Sequence, residues 1–227
     1  MSDKNHLPTG QQARPDFPRF GVNSFANFEA PAAAPHTLLV AGDVEPFSIS
    51  QEDLTRLERI EIAADFHCVT TWSYCGLRWS GFRFREVFEQ LIQPKIPSDL
   101  SIALFAFSAL DKYRASLPPE DALANDVLIA DTLNGEPLPS KHGAPLRLIT
   151  PAHYGYKNVK HLCRIQLWRD ARSYRPLIPK FMEHPRARIA YEERGRYFPG
   201  WLLRYVYRPL INSTVRHFER ASVNHAT

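Results

Sequence analysis

Apolar and polar residues alternate in short blocks through the middle of this chain, which predicts many short strands and few long helices. Strands are predicted where apolar runs or two-residue alternation occur, at residues 37–41, 59–64, 101–107, 127–133, 146–149 and 162–168. Helices are predicted where a capping box, helical spacing or an early proline occurs, over 50–57, 82–92 and 118–123. The segment between residues 64 and 82 is predicted to be a loop. Strands interspersed with short helices, without regularly alternating long helices, indicate a mixed-sheet α+β fold.

The residue composition changes twice along the chain, which predicts three regions. Residues 1–36 are rich in Pro, Ala, Asn and Gln and predict an irregular N-terminal arm. Residues 37–170 form the body, and residues 171–227 form a basic, aromatic extension with 11 Lys or Arg against 4 Asp or Glu. We expect the extension to pack on the body, with its charges as a solvated face. Residues 198–207 combine aromatic and apolar side chains, and packing is preferred there to a membrane-surface role because the segment is short.

Composition narrows the class of protein. A chain of 227 residues with 44% hydrophobic residues suits one main domain. The polar N-terminus and the lack of a long apolar stretch predict a cytoplasmic protein without a transmembrane segment. Three cysteines cannot all pair within one chain, so a disulfide framework is not expected.

Candidate chemistry begins with Cys68 in the segment ADFHCVTTWS, where a predicted strand runs into a loop. A thiolate there suits a soft or high-valent metal, whereas a nucleophile would need a nearby base. A small buried thiol is the plainer alternative. Zinc is disfavoured, because adjacent His67 and Cys68 point apart on a strand and the spacing to Cys75 is too long for a zinc knuckle.

A second segment, KHGAPLRLITP followed by GYKNVK, combines flexible backbone with anion-binding side chains. Gly143 and Gly155 permit close backbone approach, Arg147 offers a bidentate fork, and Lys157 and Lys160 offer point charges. Neither a Walker nor a GxGxxG pattern is present, so an ordinary nucleotide loop is not supported. A polar cofactor or a solvated surface loop remain the two interpretations.

Together with RWSGFRFREV, LPPEDALANDVLIADTLNGEPLPSKHGAPLRLITP and YGYKNVKHLCRIQL, these segments resemble the oxidoreductase molybdopterin-binding domain of the sulfite-oxidase family. The resemblance is closest to its small bacterial cytosolic members and covers residues 38–168, so it implies that 37–170 is the molybdopterin-binding domain. It implies a molybdenum-molybdopterin cofactor, with Cys68 as the protein's metal ligand.

The resemblance also implies roles for other side chains. Tyr113 matches a tyrosine that points toward the metal, and we expect it to help position an oxo group or substrate. The implied pterin contacts lie in the second segment and, by a looser match, in the arm: His142, Arg147, Asn158, Val159 and Lys160, with Asn23, Phe25 and Ala26. Dedicated sulfite oxidases surround their substrate with arginines, whereas residues 69–74 contain no basic residue.

The expected function is oxygen-atom transfer to or from a small substrate, such as a sulfoxide, an N-oxide or a sulfite-like molecule, in either direction. No haem-attachment motif or iron-sulfur cysteine set is found, so a separate electron carrier is expected as partner, and nucleic acid is not. Two alternatives stay open. One is a hydrolase or transferase with Cys68 as nucleophile, and the other is a cofactor-free binding protein of the same fold.

Overall fold

Three small sheets form the body of the protein. The computed structural model describes residues 7–31, 36–177 and 183–224. The first sheet contains, in order, β1 (Gln12–Ala13), β6 (Trp72–Tyr74) and β5 (Phe66–His67). The second contains β11 (Glu136–Pro137), β10 (Leu128–Leu133), β7 (Arg78–Arg83) and β4 (Arg59–Ala63), and β12 (Arg147–Ile149) also pairs with β10. The third contains β3 (Phe47–Ile49), β2 (Leu38–Gly42), β13 (Leu162–Trp168), β8 (Leu104–Ala109) and β9 (Arg114–Leu117).

Strand directions are mixed. The pairs β1/β6 and β2/β13 are parallel, whereas the remaining pairs of the three sheets are antiparallel. The helices are short except for the last: α1 (Gln51–Thr55), α2 (Phe84–Glu86), α3 (Pro119–Ala122), α4 (Gly200–Tyr207) and α5 (Leu210–Asn224). The mixed-sheet α+β class predicted from the sequence is therefore confirmed.

Local signals explain where several elements begin. At the start of α1, the Ser50 hydroxyl accepts a hydrogen bond from the backbone N–H of Asp53 at 3.1 Å, and the Asp53 carboxylate accepts one from the backbone N–H of Ser50 at 2.9 Å. This is the predicted capping box. The predicted helix over 82–92 begins two residues late, at Phe84, and its second part, Val87–Ile92, is a π-helix.

The prediction of a loop between residues 64 and 82 is wrong. This stretch contains β5 and β6, and it also contains β7, which lies between β10 and β4 in the second sheet. The buried middle of β7 obscures its two-residue alternation, and Gly81 interrupts it. A Cβ at Gly81 would lie 2.2 Å from the carbonyl oxygen of Ile129, so the close approach of the two strands requires glycine there.

The main core lies between the second and third sheets. Phe84 packs edge-to-face on Phe105 and Phe107, with ring centroids 5.3 and 5.1 Å apart. Ile129 from the second sheet and Ile165 from the third are both fully buried in this cluster. Burial of each such side chain contributes about 1.5–3 kcal/mol, and the joined sheets give a rigid support for the loops at their edges. Cys163, expected to be a buried thiol, is only partly buried.

Both ends of the chain return to the body. The arm, expected to be irregular, contributes β1, and Ala26 of the arm is buried against Phe218 and Ala221 of α5. Pro209 separates α4 from α5, as its missing N–H requires. Among the described residues, no helix is long and apolar enough to cross a membrane.

Candidate active site

Cys68 follows β5 directly and opens the tight turn that leads into β6. The backbone N–H of Cys68 donates to the carbonyl of Trp72 at 2.8 Å, and the N–H of Thr71 donates to the carbonyl of Cys68 at 3.1 Å. Thr71 has a φ of 82°, which a β-branched residue adopts only where its surroundings hold it. The turn from residues 68 to 71, called the cysteine loop below, is thus a fixed structure at the sheet edge.

The thiol of Cys68 is buried, with 6% of the residue exposed. Its Sγ atom lies 3.1 Å from the hydroxyl oxygen of Thr70. Burial raises the pKa of Cys68, while the hydrogen bond from Thr70 and the positive charges of Arg194 and Lys160 act in the opposite direction. The free thiol therefore stays protonated at neutral pH, and a bound metal ion would displace that proton.

Arg194 holds the cysteine loop from the C-terminal extension. Its guanidinium is fully buried and donates hydrogen bonds to the backbone carbonyls of Val69 at 2.7 Å and Thr9 at 3.3 Å. It also pairs with the Glu192 carboxylate at 3.2 Å and lies over the ring of Tyr154, 4.8 Å from its centroid. Arg194 was not predicted as a site residue, because it is 125 positions from Val69 and no local sequence pattern marks the contact.

The N-terminal arm also holds the cysteine loop. The Gln11 amide donates to the carbonyl of Cys68 at 3.1 Å and accepts from the hydroxyl of Ser73 at 3.1 Å. Ser73 also lies 2.7 Å from Nδ1 of His67. His67 is therefore engaged with Ser73, and burial lowers its pKa. Gln11 was likewise not identified from the sequence.

Arg147 lies fully buried in a pocket of aromatic rings. The carbon at the centre of its guanidinium is 5.1 Å from the ring centroid of Trp79, 5.4 Å from that of Phe66 and 5.9 Å from that of Phe17. One Nη donates to the carbonyl of His142 at 2.8 Å, whereas the buried Nε has no partner. Burial lowers the pKa of Arg147 to about 9. A buried donor without an acceptor is costly, and an added polar group would satisfy it.

His142 lies beside Arg147 and presents a second unsatisfied atom. Its ring stacks on Phe17 of the arm, with centroids 4.3 Å apart and planes 11° apart, and its buried Nδ1 has no partner. Burial, with the positive charges of Arg147 and Lys160, lowers the pKa of His142 to about 3, so the ring is neutral. Phe17 had no sequence signal for this role.

Lys160 supplies a further positive charge, which contacts both the arm and the second segment. Its Nζ donates to the carbonyl of Phe20 in the arm at 3.1 Å and lies 3.4 Å from that of Lys141. Burial, together with the charge of Arg147, lowers the pKa of Lys160 to about 7. Gly143 lies against it at a φ of 114°, and a Cβ there would be 2.9 Å from the Cβ of Lys160. A bound anion would favour the charged form of this amine.

Asn158 and Val159 shape the second segment from within. The Asn158 side chain accepts from the backbone N–H of Thr150 at 3.0 Å and donates to the Thr150 hydroxyl at 3.1 Å. Val159 is buried in the main core, and its carbonyl accepts from the N–H of Leu148 at 2.9 Å. Their contact with a cofactor stays a prediction.

Tyr113 lies close to one of the three predicted arm residues, Phe25. The Tyr113 hydroxyl donates to the carbonyl of Tyr156 at 2.6 Å, and burial raises its pKa well above the usual value. The Phe25 ring packs edge-to-face on Tyr113, with centroids 5.7 Å apart. Asn23 is exposed, and its carbonyl lies 3.3 Å from Nε2 of His217. The structure thus brings Phe25 to Tyr113, whereas Ala26 is packed against α5.

A zinc site of the ordinary kind is not found in the described part of the chain, which contains no group of three or more His, Cys, Asp or Glu side chains placed to hold a metal ion. Cys75 lies near Asp65, and its burial with that carboxyl raises the pKa of Cys75 to about 11. The arrangement is instead one buried thiol, that of Cys68, on a fixed turn close to the positive charges of Arg194 and Lys160. Buried polar atoms of His142 and Arg147 have no hydrogen-bond partner within the ranges that the structure describes.

Comparison with solved structures finds the same fold in the sulfane dehydrogenase SoxCD from Paracoccus pantotrophus, with a TM-score of 0.52 and 25% identity over 67% of this chain and 43% of that one. Among curated proteins, the oxidoreductase YuiH of Bacillus subtilis is 32% identical over 172 residues, 75% of this chain and 83% of YuiH. The protein-methionine-sulfoxide reductase catalytic subunit MsrP of Campylobacter jejuni is 28% identical over 58% of this chain.

The chain spans about half the length of that reductase subunit, at 48%. The model of the oxidoreductase molybdopterin binding domain matches residues 27–174, which is more than half of the chain. This protein therefore belongs to the family of oxidoreductases that bind molybdenum-molybdopterin.

Proposed function

We propose that Cys68 is the protein's ligand to molybdenum and that the enzyme reduces a sulfoxide by removing its oxygen atom. The observation that carries this proposal is the cysteine loop itself. It buries one thiol on a turn held by Gln11 and Arg194, with the charges of Arg194 and Lys160 favouring the thiolate. A buried thiol that is protonated when free and supported by cations suits a metal ligand.

The remaining residues fit the rest of the cofactor. The pterin carries polar ring edges and a phosphate, which need hydrogen-bond partners and positive charge. Nδ1 of His142 and Nε of Arg147 are buried atoms without partners, and the pKa of Lys160 falls to about 7 in the absence of an anion. We infer that these three residues hold the polar parts of the cofactor, each charged hydrogen bond contributing about 1.5–3 kcal/mol.

When bound, the cofactor supplies two-electron chemistry and exchange of one oxygen atom. Reduction of a sulfoxide consumes two electrons and two protons and releases the sulfide and water. The residues of this chain fix the thiolate and shield it from solvent, and the family resemblance assigns Tyr113 to the positioning of the substrate. The raised pKa of Tyr113 keeps its hydroxyl protonated, and we infer that this hydroxyl would exchange its hydrogen bond to the carbonyl of Tyr156 for one to a substrate oxygen.

The hydrogen bonds that Arg194 already makes favour a neutral sulfoxide over sulfite as the substrate. The guanidinium of Arg194 is directed at the carbonyls of Val69 and Thr9 and at Glu192, so it is committed to protein groups. The loop itself contains no basic residue. A dianion would need cations directed at it, whereas a neutral dipolar substrate would not. The name of MsrP, a methionine-sulfoxide reductase, supports the same class.

A hydrolase with Cys68 as nucleophile receives no support from the geometry. The nearest histidine in sequence, His67, is engaged with Ser73, and burial raises the pKa of Cys68. A nucleophilic cysteine would need a free base beside it and a lowered pKa. We further propose a separate electron carrier, consistent with the description of MsrP as a catalytic subunit. The cytoplasmic location stays a prediction from the sequence.

The test uses protein made in a host that synthesises the cofactor, with molybdenum measured by elemental analysis and turnover measured with a reduced dye. Cys68→Ser should lose turnover of methionine sulfoxide, since a serine oxygen is a harder ligand than a thiolate. Cys75→Ser and Cys163→Ser are the matched controls and should keep it.

Parent protein should carry about one molybdenum per chain. Full zinc occupancy without molybdenum, or parent-like turnover by Cys68→Ser, would refute the assignment of the metal ligand. Turnover of sulfite with none of sulfoxide would refute the substrate class alone.

A further inference from the structure

One face of α4 is apolar and open to solvent. Trp201, Leu202, Tyr205 and Val206 form this face, called the α4 outer face below, and their exposed fractions are 56%, 40%, 64% and 57%. Their spacing places them on one side of the helix, whereas Leu203 on the other side is buried. Single exposed apolar residues are ordinary, but a contiguous aromatic face of this kind marks an interaction surface.

Neighbouring residues extend this surface at both ends of the helix. Tyr197 and Phe198 precede α4 and are 63% and 51% exposed, and Leu210 follows it at 48%. Trp and Tyr rings combine an apolar body with a polar edge, which suits the boundary between water and a lipid bilayer.

The electrostatics of the segment select the partner. Residues 192–220 contain six arginines against three glutamates, Glu192, Glu193 and Glu219. Of these arginines, Arg194 and Arg204 pair with Glu192, whereas Arg196, Arg208 and Arg216 are exposed. Two copies of this chain meeting through the same face would bring like charges together, which disfavours a symmetric dimer. An anionic surface is the complement.

The shortness of the segment, which favoured packing on the body at the level of sequence, does not weaken membrane binding in the folded protein. An isolated helix of this length would have to fold on the membrane, at a large cost. Here α4 is already ordered, because Leu203 packs inward and a Cβ at Gly200 would lie 2.0 Å from the carbonyl oxygen of Glu192. The apolar side chains are thus presented without further ordering.

We propose that the α4 outer face docks the protein peripherally on the surface of an anionic phospholipid bilayer. This inference goes beyond the proposed oxygen-atom transfer and does not depend on it. The docked face lies near the candidate site, since Arg208, next to α4, approaches the Thr71 hydroxyl at 3.5 Å. Docking would hold the cysteine loop close to the membrane surface.

The experiment is flotation of the full chain with vesicles of equal parts phosphatidylglycerol and phosphatidylcholine, compared with vesicles of phosphatidylcholine alone. We expect binding to the anionic vesicles that weakens with added salt. The double variant Trp201→Ser with Tyr205→Ser should lower the partition coefficient about tenfold or more, because two exposed aromatic rings are lost.

The contribution of positive charge is tested with the double variant Arg196→Gln and Arg216→Gln, which should bind anionic vesicles more weakly than the parent. Arg172→Gln is the matched control, since Arg172 is exposed and pairs only with Asp170 among the described contacts. All of these variants should keep the parent's thermal unfolding, because the altered side chains are exposed.

Three results would overturn the proposal: no binding of the parent to anionic vesicles, binding unchanged by the aromatic double variant, or a dimer in analytical ultracentrifugation that this variant abolishes. The last would assign the face to self-association. Vesicle binding needs no turnover, so a failure of the proposed enzymatic function would leave this result readable.

Discussion

Replacing Arg194 with methionine removes a buried cation from the contact between the C-terminal extension and the cysteine loop. The variant loses the hydrogen bonds to the carbonyls of Val69 at 2.7 Å and Thr9 at 3.3 Å. It also loses the ion pair with Glu192 at 3.2 Å and the packing over Tyr154. Methionine fills much of the volume but leaves the Val69 carbonyl without this donor.

The size of the effect follows from these contacts. A charged hydrogen bond contributes about 1.5–3 kcal/mol, and the longer one to Thr9 contributes less. Glu192 keeps a second partner, because Arg204 lies 3.2 Å from its other carboxylate oxygen. The penalty of an unpaired buried charge is therefore largely avoided. We expect a loss of about 3 kcal/mol in the free energy of unfolding, or roughly 6–12 °C in Tm for a chain of this size.

The assay has two parts. Urea unfolding of cofactor-free protein measures the stability, and molybdenum per folded chain measures the state of the site. Arg194→Lys should recover part of both, since it restores the charge but not the fork.

Arg186→Met is the control, because Arg186 also ties the extension to the body, through Asp121, yet has no described contact with the cysteine loop. It should lower stability without lowering molybdenum per folded chain. Arg194→Met with parent-like stability, or with molybdenum loading no lower than in the Arg186 variant, would refute the role of Arg194 as a clamp on the loop.

Three further predictions concern the site. Arg147→Met and Lys160→Met should each lower molybdenum loading while leaving urea unfolding of the cofactor-free protein nearly unchanged, since burial already penalises both cations; an equal loss of apo stability would make them structural. Burial lowers the pKa of His161 from 6.5 to about 4, so the unfolded chain binds a proton that the folded chain does not, and stability falls as pH drops through this window. Asparagine suits the φ of 51° at this position, and His161→Asn should reduce the loss of stability between pH 6.5 and pH 4 by about 3 kcal/mol. Urea unfolding at these two pH values measures the loss, and a midpoint that shifts as much in the variant as in the parent would contradict the prediction. Tyr113→Phe should keep molybdenum loading but lower dye-linked turnover about tenfold or more, and unchanged turnover would assign Tyr113 to packing.

Much of the fold was predictable because its signals are local. The alternation in β4 and β13 and the capping box before α1 lie within a few residues, so their positions matched the prediction closely. β7 was missed because a strand buried in its middle loses the alternation, and Gly81 is explained only by its contact with Ile129. Sequence alone cannot supply such a contact.

The residues of the candidate site also fall into two groups, those with a local sequence signal and those without one. Cys68 and Arg147 were predicted as site residues from motifs, in which residue type and neighbours carry the information. Arg194 and Gln11 hold the same loop from opposite ends of the chain, and neither has a local pattern. Phe17 stacks on His142 only because the arm returns across the body. Residues that support a site by long-range contacts are visible only after folding.

The contacts of Gln11 and Arg194 with the cysteine loop also determine when this loop can be completed during synthesis of the protein. One clamp comes from residue 11 and the other from residue 194, so a growing polypeptide lacks the complete loop until most of its length has left the ribosome. Ala26 of the arm and Phe218 of α5 also meet, so this contact likewise joins residues that are far apart in the sequence. If Cys68 is the metal ligand, as proposed above, loading of the cofactor at the completed loop would follow synthesis of Arg194.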